Sequence, residues 1–131
     1  MSAHHVIEKY YKAFNEWDMV TFFSLCTEDV IHDVNNGQRE IGIEKFRQFM
    51  QSMEKFGREK VDDLFIFING DRAAVEFMVE GTYTVTVEGY PPAKGHKYRL
   101  PVGTFFAFKK DKISRVTVYY NLQEWIRQVS T

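Results

Sequence analysis

The N-terminal part of the chain carries apolar residues at helical spacing. In the first segment they recur at three- and four-residue steps, which places them on one face of a helix. That face consists of Val6, Ile7, Tyr10, Phe14 and Trp17. Asp18 is suited to cap a second, short helix. The apolar residues of this second helix are Phe22, Phe23 and Cys26. A third amphipathic helix is predicted to stop near Gly57. Its apolar residues are Ile43, Phe46, Met50 and Met53.

Strand patterns begin between these helices and dominate after residue 60. Residues 30–34 form a short β-branched run that ends at the turn signal Asn35-Asn36-Gly37. Residues 64–68 are apolar on both faces, as in a strand covered on both sides. Asn69-Gly70-Asp71 then signals a hairpin turn.

A long alternating segment and two further strands complete the predicted sheet. Residues 73–87 alternate between apolar and polar side chains, which predicts a long strand that is bent or bulged at Gly81. Strands are also predicted at 98–109 and 113–120, followed by a short helix capped by Asn121. Helices followed by a meander of strands predict an α+β fold, and residues 1–131 show no linker that would divide them into more than one domain.

The charge of the chain is nearly balanced, and one cysteine excludes an intrachain disulfide. The formal net charge is −1, and no segment concentrates Lys and Arg. The field that attracts nucleic acid or anionic lipid is therefore missing. No run approaches the ~20 apolar residues that span a bilayer. The N-terminus has charged residues where a signal peptide needs an apolar stretch. We therefore expect a soluble, cytoplasmic protein that binds neither nucleic acid nor a membrane.

Four segments resemble one known family. They are EKYYKAFNEWD at 8–18, the stretch 29–42, LPVGTFF at 100–106 and DKI at 111–113. In this order the chain resembles the nuclear-transport-factor-2-like (NTF2-like) superfamily, and within it the ketosteroid isomerase and SnoaL-like polyketide cyclase group. The resemblance implies a cone, in which helices close one side of a strongly curved antiparallel sheet and a pocket lies between them. It also implies a homodimer that pairs through the outer face of the sheet.

The resemblance further implies a set of catalytic residues. In ketosteroid isomerase an Asp base moves a proton, while a Tyr and a protonated Asp donate hydrogen bonds to the developing oxyanion. The family Tyr falls on Tyr10. The base falls on Asp33 when the alignment runs back from Gly42, and on Val34 when it runs forward from Asp29. We favour Asp33, because an apolar residue transfers no proton. The position of the second acid falls on Gly103, which has no side chain, and this places steroid isomerisation in doubt.

Each candidate also has a structural interpretation. Tyr10 is equally suited to be a core residue, and Asp33 to stabilise the adjacent turn. In a strand, His32 faces away from Asp33, so only one of them enters the cavity. We expect His32 to be a structural or interface residue, with catalysis as the alternative. If Asp33 points outward, a binding role replaces the enzymatic one.

The residues expected to line the pocket are mostly apolar. They are Phe14, Phe77, Val79, Tyr83, Gly103, Phe105, Val118 and Tyr120. Aromatic residues make up 16% of the chain, more than a core of this size requires, and a surplus suits a cavity wall. The alternative is that Phe and Trp side chains fill the cone. The opposite face, which includes Glu76, Thr117 and Tyr119, suits either a dimer interface or a solvated surface.

No metal or cofactor is expected. The four histidines are too scattered to supply three convergent ligands, and no Gly-rich phosphate loop follows a strand. The leading hypothesis is an isomerase or cyclase that binds a small apolar carbonyl compound. Asp33 would be its general base, Tyr10 would polarise the carbonyl, and Tyr120 would assist. The alternative is a non-catalytic binding or dimerisation module on the same fold. A nuclear-transport adaptor is a third possibility, based on fold alone.

Overall fold

The computed structural model describes residues 1–130, which form four helices and six strands. The helices are α1 (Ala3–Glu16), α2 (Met19–Ser24), α3 (Ile43–Lys55) and α4 (Leu122–Gln128). The strands are β1 (Cys26–Asp33), β2 (Arg39–Ile41), β3 (Lys60–Asn69), β4 (Arg72–Tyr83), β5 (His96–Lys109) and β6 (Lys112–Tyr120).

The six strands form one curled, unclosed sheet in the order β2-β1-β6-β5-β4-β3. β1 and β6 pair in parallel, and the other neighbours pair antiparallel. The helices contribute large apolar side chains to the core on the inner face, among them Ile7 of α1 and Phe46 of α3. This arrangement confirms the predicted α+β fold.

The helix ends follow the local signals in the sequence. Ser2 caps α1 by accepting a hydrogen bond from the amide of His5, and Asp18 caps α2 by accepting from Thr21. The prediction that Cys26 belongs to the second helix is wrong. The amide of Ile113 donates to the carbonyl of Leu25, which draws the chain into pairing with β6, so Cys26 begins β1.

β3 is an edge strand covered on one face only. Phe65 and Phe67 are 57% and 58% exposed, whereas Leu64 and Ile66 pack against the core. The prediction of a strand covered on both sides is therefore wrong. The apolar pattern predicts the burial of the inner face of β3 correctly. On the outer face, the same pattern belongs to two aromatic rings that are exposed to solvent.

β4 ends at Tyr83, earlier than predicted. The Tyr83 hydroxyl donates to the carbonyl of Pro91 and accepts from the amide of Val87. These two bonds hold the following residues in a loop, so the strand does not continue. Val87 and Tyr90 of this loop reach the cavity described below.

Candidate active site

A cavity of about 340 Å³ lies between the helices and the inner face of the sheet. Seven of the predicted site residues line it: Tyr10, Phe14, Phe77, Val79, Tyr83, Val118 and Tyr120. The wall is largely aromatic and aliphatic, with a small number of polar side chains among these groups. This combination is typical of small-molecule sites, and the volume falls within their usual range.

Gly103 and Phe105 lie on the opposite face of the sheet from the cavity. Their neighbours Val102 and Thr104 pair with the inward-facing Phe77 and Val75, so the alternation of β5 turns Gly103 and Phe105 outward. Phe105 is 45% exposed. The inward placement expected for these two residues is wrong. Residues 100–106 are apolar at positions on both faces, so the sequence did not fix which set points inward.

Asp33 also faces away from the cavity. Arg39 binds its carboxylate through two hydrogen bonds, of 2.7 and 3.0 Å, and the hydroxyl of Thr117 donates a third at 2.7 Å. These donors, above all Arg39, hold the pKa of Asp33 below its ordinary value. The expectation that Asp33 enters the cavity with a raised pKa is therefore wrong. A carboxylate held in this way is a poor proton acceptor.

His32 takes the inward position that was expected for Asp33. Its side chain lines the cavity and is 3% exposed. The imidazole stacks on Phe46 with ring centroids 4.5 Å apart, and the Phe49 ring lies at 72° to it with its centroid 4.6 Å away. The aromatic contacts fix the plane of the ring. Val34, the other residue that the family alignment offers, faces the cavity two positions further on.

Glu40 is the polar partner of His32. The two residues pair across β1 and β2, and Nδ1 of His32 lies 3.5 Å from Oε1 of Glu40. Both atoms are buried, and neither makes a hydrogen bond within residues 1–130. Burial lowers the pKa of His32, and the Glu40 carboxylate opposes that shift. The imidazole is therefore neutral near pH 7. In the tautomer that carries its proton on Nδ1, the nitrogen nearer to Glu40, Nε2 is the basic nitrogen.

Tyr10 lies deep in the same cavity. Its ring stacks on Phe22 at 4.3 Å and meets Phe106 edge-on at 5.4 Å. Phe22 in turn contacts Phe46, the ring on which His32 stacks. Burial raises the pKa of Tyr10 well above its ordinary value. The phenol therefore keeps its proton and remains a hydrogen-bond donor at physiological pH.

Glu59 is a polar residue of the cavity that the sequence did not indicate. Its carboxylate accepts a hydrogen bond of 2.7 Å from the hydroxyl of Tyr98, and both residues line the cavity. Burial raises the pKa of Glu59, while the Tyr98 bond acts in the other direction. In the sequence Glu59 stands between Arg58 and Lys60 and resembles part of a solvated loop. Its burial depends on residues far away in the chain.

The family model described as "SnoaL-like domain" matches residues 7–116 of this chain. The chain belongs to the SnoaL-like family. A solved structure from Pseudomonas putida KT2440, named "putative polyketide cyclase", is 46% identical with a TM-score of 0.96, and the match covers 99% of both chains. A protein of the same name from Xanthomonas campestris pv. campestris is 45% identical, with a TM-score of 0.94 and coverage of 98% of this chain and 96% of that chain.

A third structure with that name, from Silicibacter sp. TM1040, is 42% identical. Its TM-score is 0.94, and the match covers 98% of this chain and 95% of that chain. No curated protein sequence matches this chain significantly. These similarities confirm the NTF2-like, SnoaL-like fold that the sequence predicted.

Within residues 1–130, no three side chains of the His, Cys, Asp and Glu types form a group that could hold a metal ion. None of the helices in this range is both long enough and apolar enough to cross a bilayer.

Proposed function

We propose that this SnoaL-like protein binds a small, mostly apolar carbonyl compound in its cavity and moves a proton at the carbon next to the carbonyl. Isomerisation and ring closure both begin with this step. The observation that carries the proposal is the inward-facing imidazole of His32, with Nδ1 at 3.5 Å from the Glu40 carboxylate. His32 takes the role that the sequence assigned to Asp33, so an outward-facing Asp33 does not remove the acid–base chemistry.

The first half of the reaction uses His32 and Glu40. Nε2 of the neutral imidazole takes a proton from the carbon next to the carbonyl, and the C–H electron pair moves into the carbonyl to form an enolate. The imidazolium that forms is stabilised by Glu40 through Nδ1–H, as the carboxylate does in other carboxylate–histidine pairs. A neutral base suits this cavity, because an unpaired carboxylate would be costly to bury among aromatic rings.

Tyr10 acts on the oxygen of the ligand. Its hydroxyl donates a hydrogen bond to the carbonyl oxygen, which becomes more negative as the enolate forms. The raised pKa of Tyr10 favours this role, because a donor that keeps its proton adds no negative charge of its own. The imidazolium then returns its proton to carbon in an isomerisation, or to oxygen once the enolate carbon has attacked a second carbonyl in a ring closure.

The relatives support the ring-closing version. The three similar structures that are 42–46% identical to this chain are each named as putative polyketide cyclases. Ring closure and isomerisation share the proton-abstraction step, so one arrangement of side chains serves both. Which of the two occurs depends on whether the ligand carries a second carbonyl within reach of the enolate carbon.

Deuterium exchange tests the proposal without knowledge of the natural substrate. Cyclic ketones and cyclic 1,3-diketones are incubated with the protein in deuterium oxide, and loss of the proton next to the carbonyl is followed by NMR. We expect exchange above the buffer rate for at least one ketone, and a rate lowered by Tyr10→Phe. Exchange at the buffer rate for every ketone would contradict the proposal.

A binding module without catalysis is the second candidate. The inward positions next to Gly103 hold Val102 and Thr104, neither of which supplies the second acid of ketosteroid isomerase. One donor to the oxyanion is thus missing, and removal of such a donor commonly lowers turnover ~10²–10³-fold. Saturable binding of a ketone with no exchange would favour this candidate.

The outer face of the sheet is the proposed homodimer interface. Phe65 and Phe67 of β3 lie on one side of it, and Phe105 and Tyr119 lie on the other. In register, Glu76 and Gly103 lie between Phe65 and Tyr119, and Ala74 lies between Phe67 and Phe105. All four aromatic side chains are exposed. A second copy of the chain would cover an aromatic surface that water otherwise contacts.

A further inference from the structure

Glu59 and Tyr98 occupy a part of the cavity remote from His32. In the sheet, His32 pairs with Val116 of β6, and Val116 pairs with Phe106 of β5. Tyr98 precedes Phe106 on β5 by eight residues, roughly 26 Å of extended strand. The proton transfer proposed at His32 and Tyr10 does not use this second polar region.

A glycine makes room for the Glu59–Tyr98 contact. Tyr98 pairs with Gly81 across β4 and β5, and its ring lies over that glycine. A Cβ atom at position 81 would stand 2.6 Å from Cζ of Tyr98, closer than real side chains approach. Gly81 therefore does not only curve the strand. It leaves room for the Tyr98 ring, whose hydroxyl donates to Glu59.

Other aromatic groups line this part of the cavity. The ring of Trp125 lies 5.9 Å from that of Tyr98, and Trp125 and Tyr120 both line the cavity here. Burial raises the pKa of Tyr120, and the negative charge of Glu59 contributes to the shift.

The carboxylate has hydrogen-bonding capacity that Tyr98 does not exhaust. A carboxylate offers about four acceptor sites, and the Tyr98 hydroxyl donates to one oxygen, Oε2. A partly buried carboxylate gains from every additional donor, because burial has removed part of its water. A ligand that enters the cavity with an O–H group can supply that donor.

We propose that Glu59 and Tyr98 form a second polar site in the cavity, which binds a phenolic or enolic hydroxyl group of the ligand. The hydroxyl donates to the Glu59 carboxylate, and Tyr98 positions the carboxylate from its other side. A hydroxyl on an unsaturated ring is favoured, because it is a stronger donor to an anion than an aliphatic alcohol and its ring fits an aromatic wall. A ligand carboxylate is disfavoured by charge repulsion. The site deepens the proposed function by defining a second group on the substrate.

A pair of matched probes tests this site. 2-Naphthol and 2-methoxynaphthalene have the same ring system, but only the naphthol has an O–H donor. Their affinities are measured by titration calorimetry at neutral pH. We expect the wild-type protein to bind the naphthol at least about tenfold more tightly, the effect of one hydrogen bond to a charged group. In Glu59→Leu the ratio should fall to within about twofold, with affinity for the methoxy compound retained.

Two further variants keep the test decisive. Glu59→Gln keeps the size of the side chain and an acceptor oxygen without the charge, so an intermediate ratio is expected even if the leucine variant folds poorly. Glu54→Gln, on the exposed end of α3, should leave the ratio unchanged. The inference is overturned if the wild type shows no preference or binds neither probe, or if Glu59→Leu and Glu59→Gln retain the full preference.

The outcome is separable from that of the proposed function. The naphthol preference reports on Glu59, whereas deuterium exchange of ketones reports on His32 and Tyr10. A preference that depends on Glu59 without any ketone exchange would support the binding site and reject the catalysis. Ketone exchange without the naphthol preference would support the catalysis and reject the binding site at Glu59.

Discussion

His32 and Asp33 are adjacent in β1, and their side chains lie on opposite faces of the sheet. His32 faces the cavity beside Phe46, whereas Asp33 is held by Arg39 and Thr117 on the outer face. The strand thus separates a neutral imidazole inside from a charged carboxylate outside. This separation supports the proposed chemical role of His32 and a structural role for Asp33.

Asp33 is expected to stabilise the fold above its own titration range. Its folded pKa lies below the ordinary value, so its contribution is present above the unfolded pKa and is lost as the pH falls through the folded pKa. Arg39 is more than half exposed, so we expect Asp33→Asn to lower the free energy of unfolding by only about 1 kcal/mol at pH 7. Urea unfolding of the wild type and of Asp33→Asn, at pH 7 and below pH 3, measures this difference in the free energy of unfolding. A difference of equal size at both pH values would contradict the account.

The charge of Glu59, unlike that of Asp33, should destabilise the fold. Its folded pKa is raised, so stability that is present below the unfolded pKa is lost as the pH rises through the folded pKa. Glu59→Gln should therefore be more stable than the wild type at pH 7, and the difference should shrink near pH 4. Thermal unfolding across this range provides the measurement. A glutamine variant that is less stable at pH 7 would show that the charge is not destabilising there.

Gly81 and Gly103 form a matched pair of substitution sites on neighbouring strands. An added methyl group at Gly81 collides with the Tyr98 ring, whereas one at Gly103 meets nothing closer than the Val75 carbonyl at 4.0 Å. Gly81→Ala should displace Tyr98 and lower the preference for naphthol, because Tyr98 would no longer position the Glu59 carboxylate. Gly103→Ala should bind both probes as the wild type does. Equal behaviour of the two alanine variants would reject the role given to Gly81.

A charged substitution on the outer aromatic face tests whether this face forms the proposed homodimer interface. Phe105 packs against Tyr119 with ring centroids 6.0 Å apart, so Phe105→Glu would place a carboxylate at the centre of the proposed interface. We expect this variant to weaken the homodimer at least about tenfold in sedimentation equilibrium. Val20→Glu, on the highly exposed side of α2, is the control and should not change association. A wild-type protein that stays monomeric at high micromolar concentration would contradict the proposed dimer.

The sequence predicted the elements better than the faces. Caps and helices follow from residues close together in the chain, and Ser2, Asp18 and Asn121 all cap helices in the structure, the last two as predicted. The direction of a strand residue depends on register, and β1 offers adjacent polar residues for either face. His32 and Asp33 are both chemically suited to a cavity, so only the pairing with β2 and β6 decides between them.

No local pattern in the sequence predicts the contact between Glu59 and Tyr98. Glu59 immediately precedes β3, and its partner Tyr98 is on β5 with β4 between the two strands. No spacing in the sequence connects these positions, and the charged neighbours of Glu59 indicate solvent. The contact exists because the sheet brings Gly81 beside Tyr98 and leaves room for the ring.

The central claim is that His32, not its neighbour, is the base of a proton-transfer site. The most direct measurement is the rate of ketone deuterium exchange in His32→Gln and in Asp33→Asn, each compared with the wild type. We expect His32→Gln to lower the rate at least about 100-fold, the usual contribution of a general base, and Asp33→Asn to change it by less than about threefold. Exchange that survives in His32→Gln, or is lost in Asp33→Asn while the fold is intact, would contradict the account.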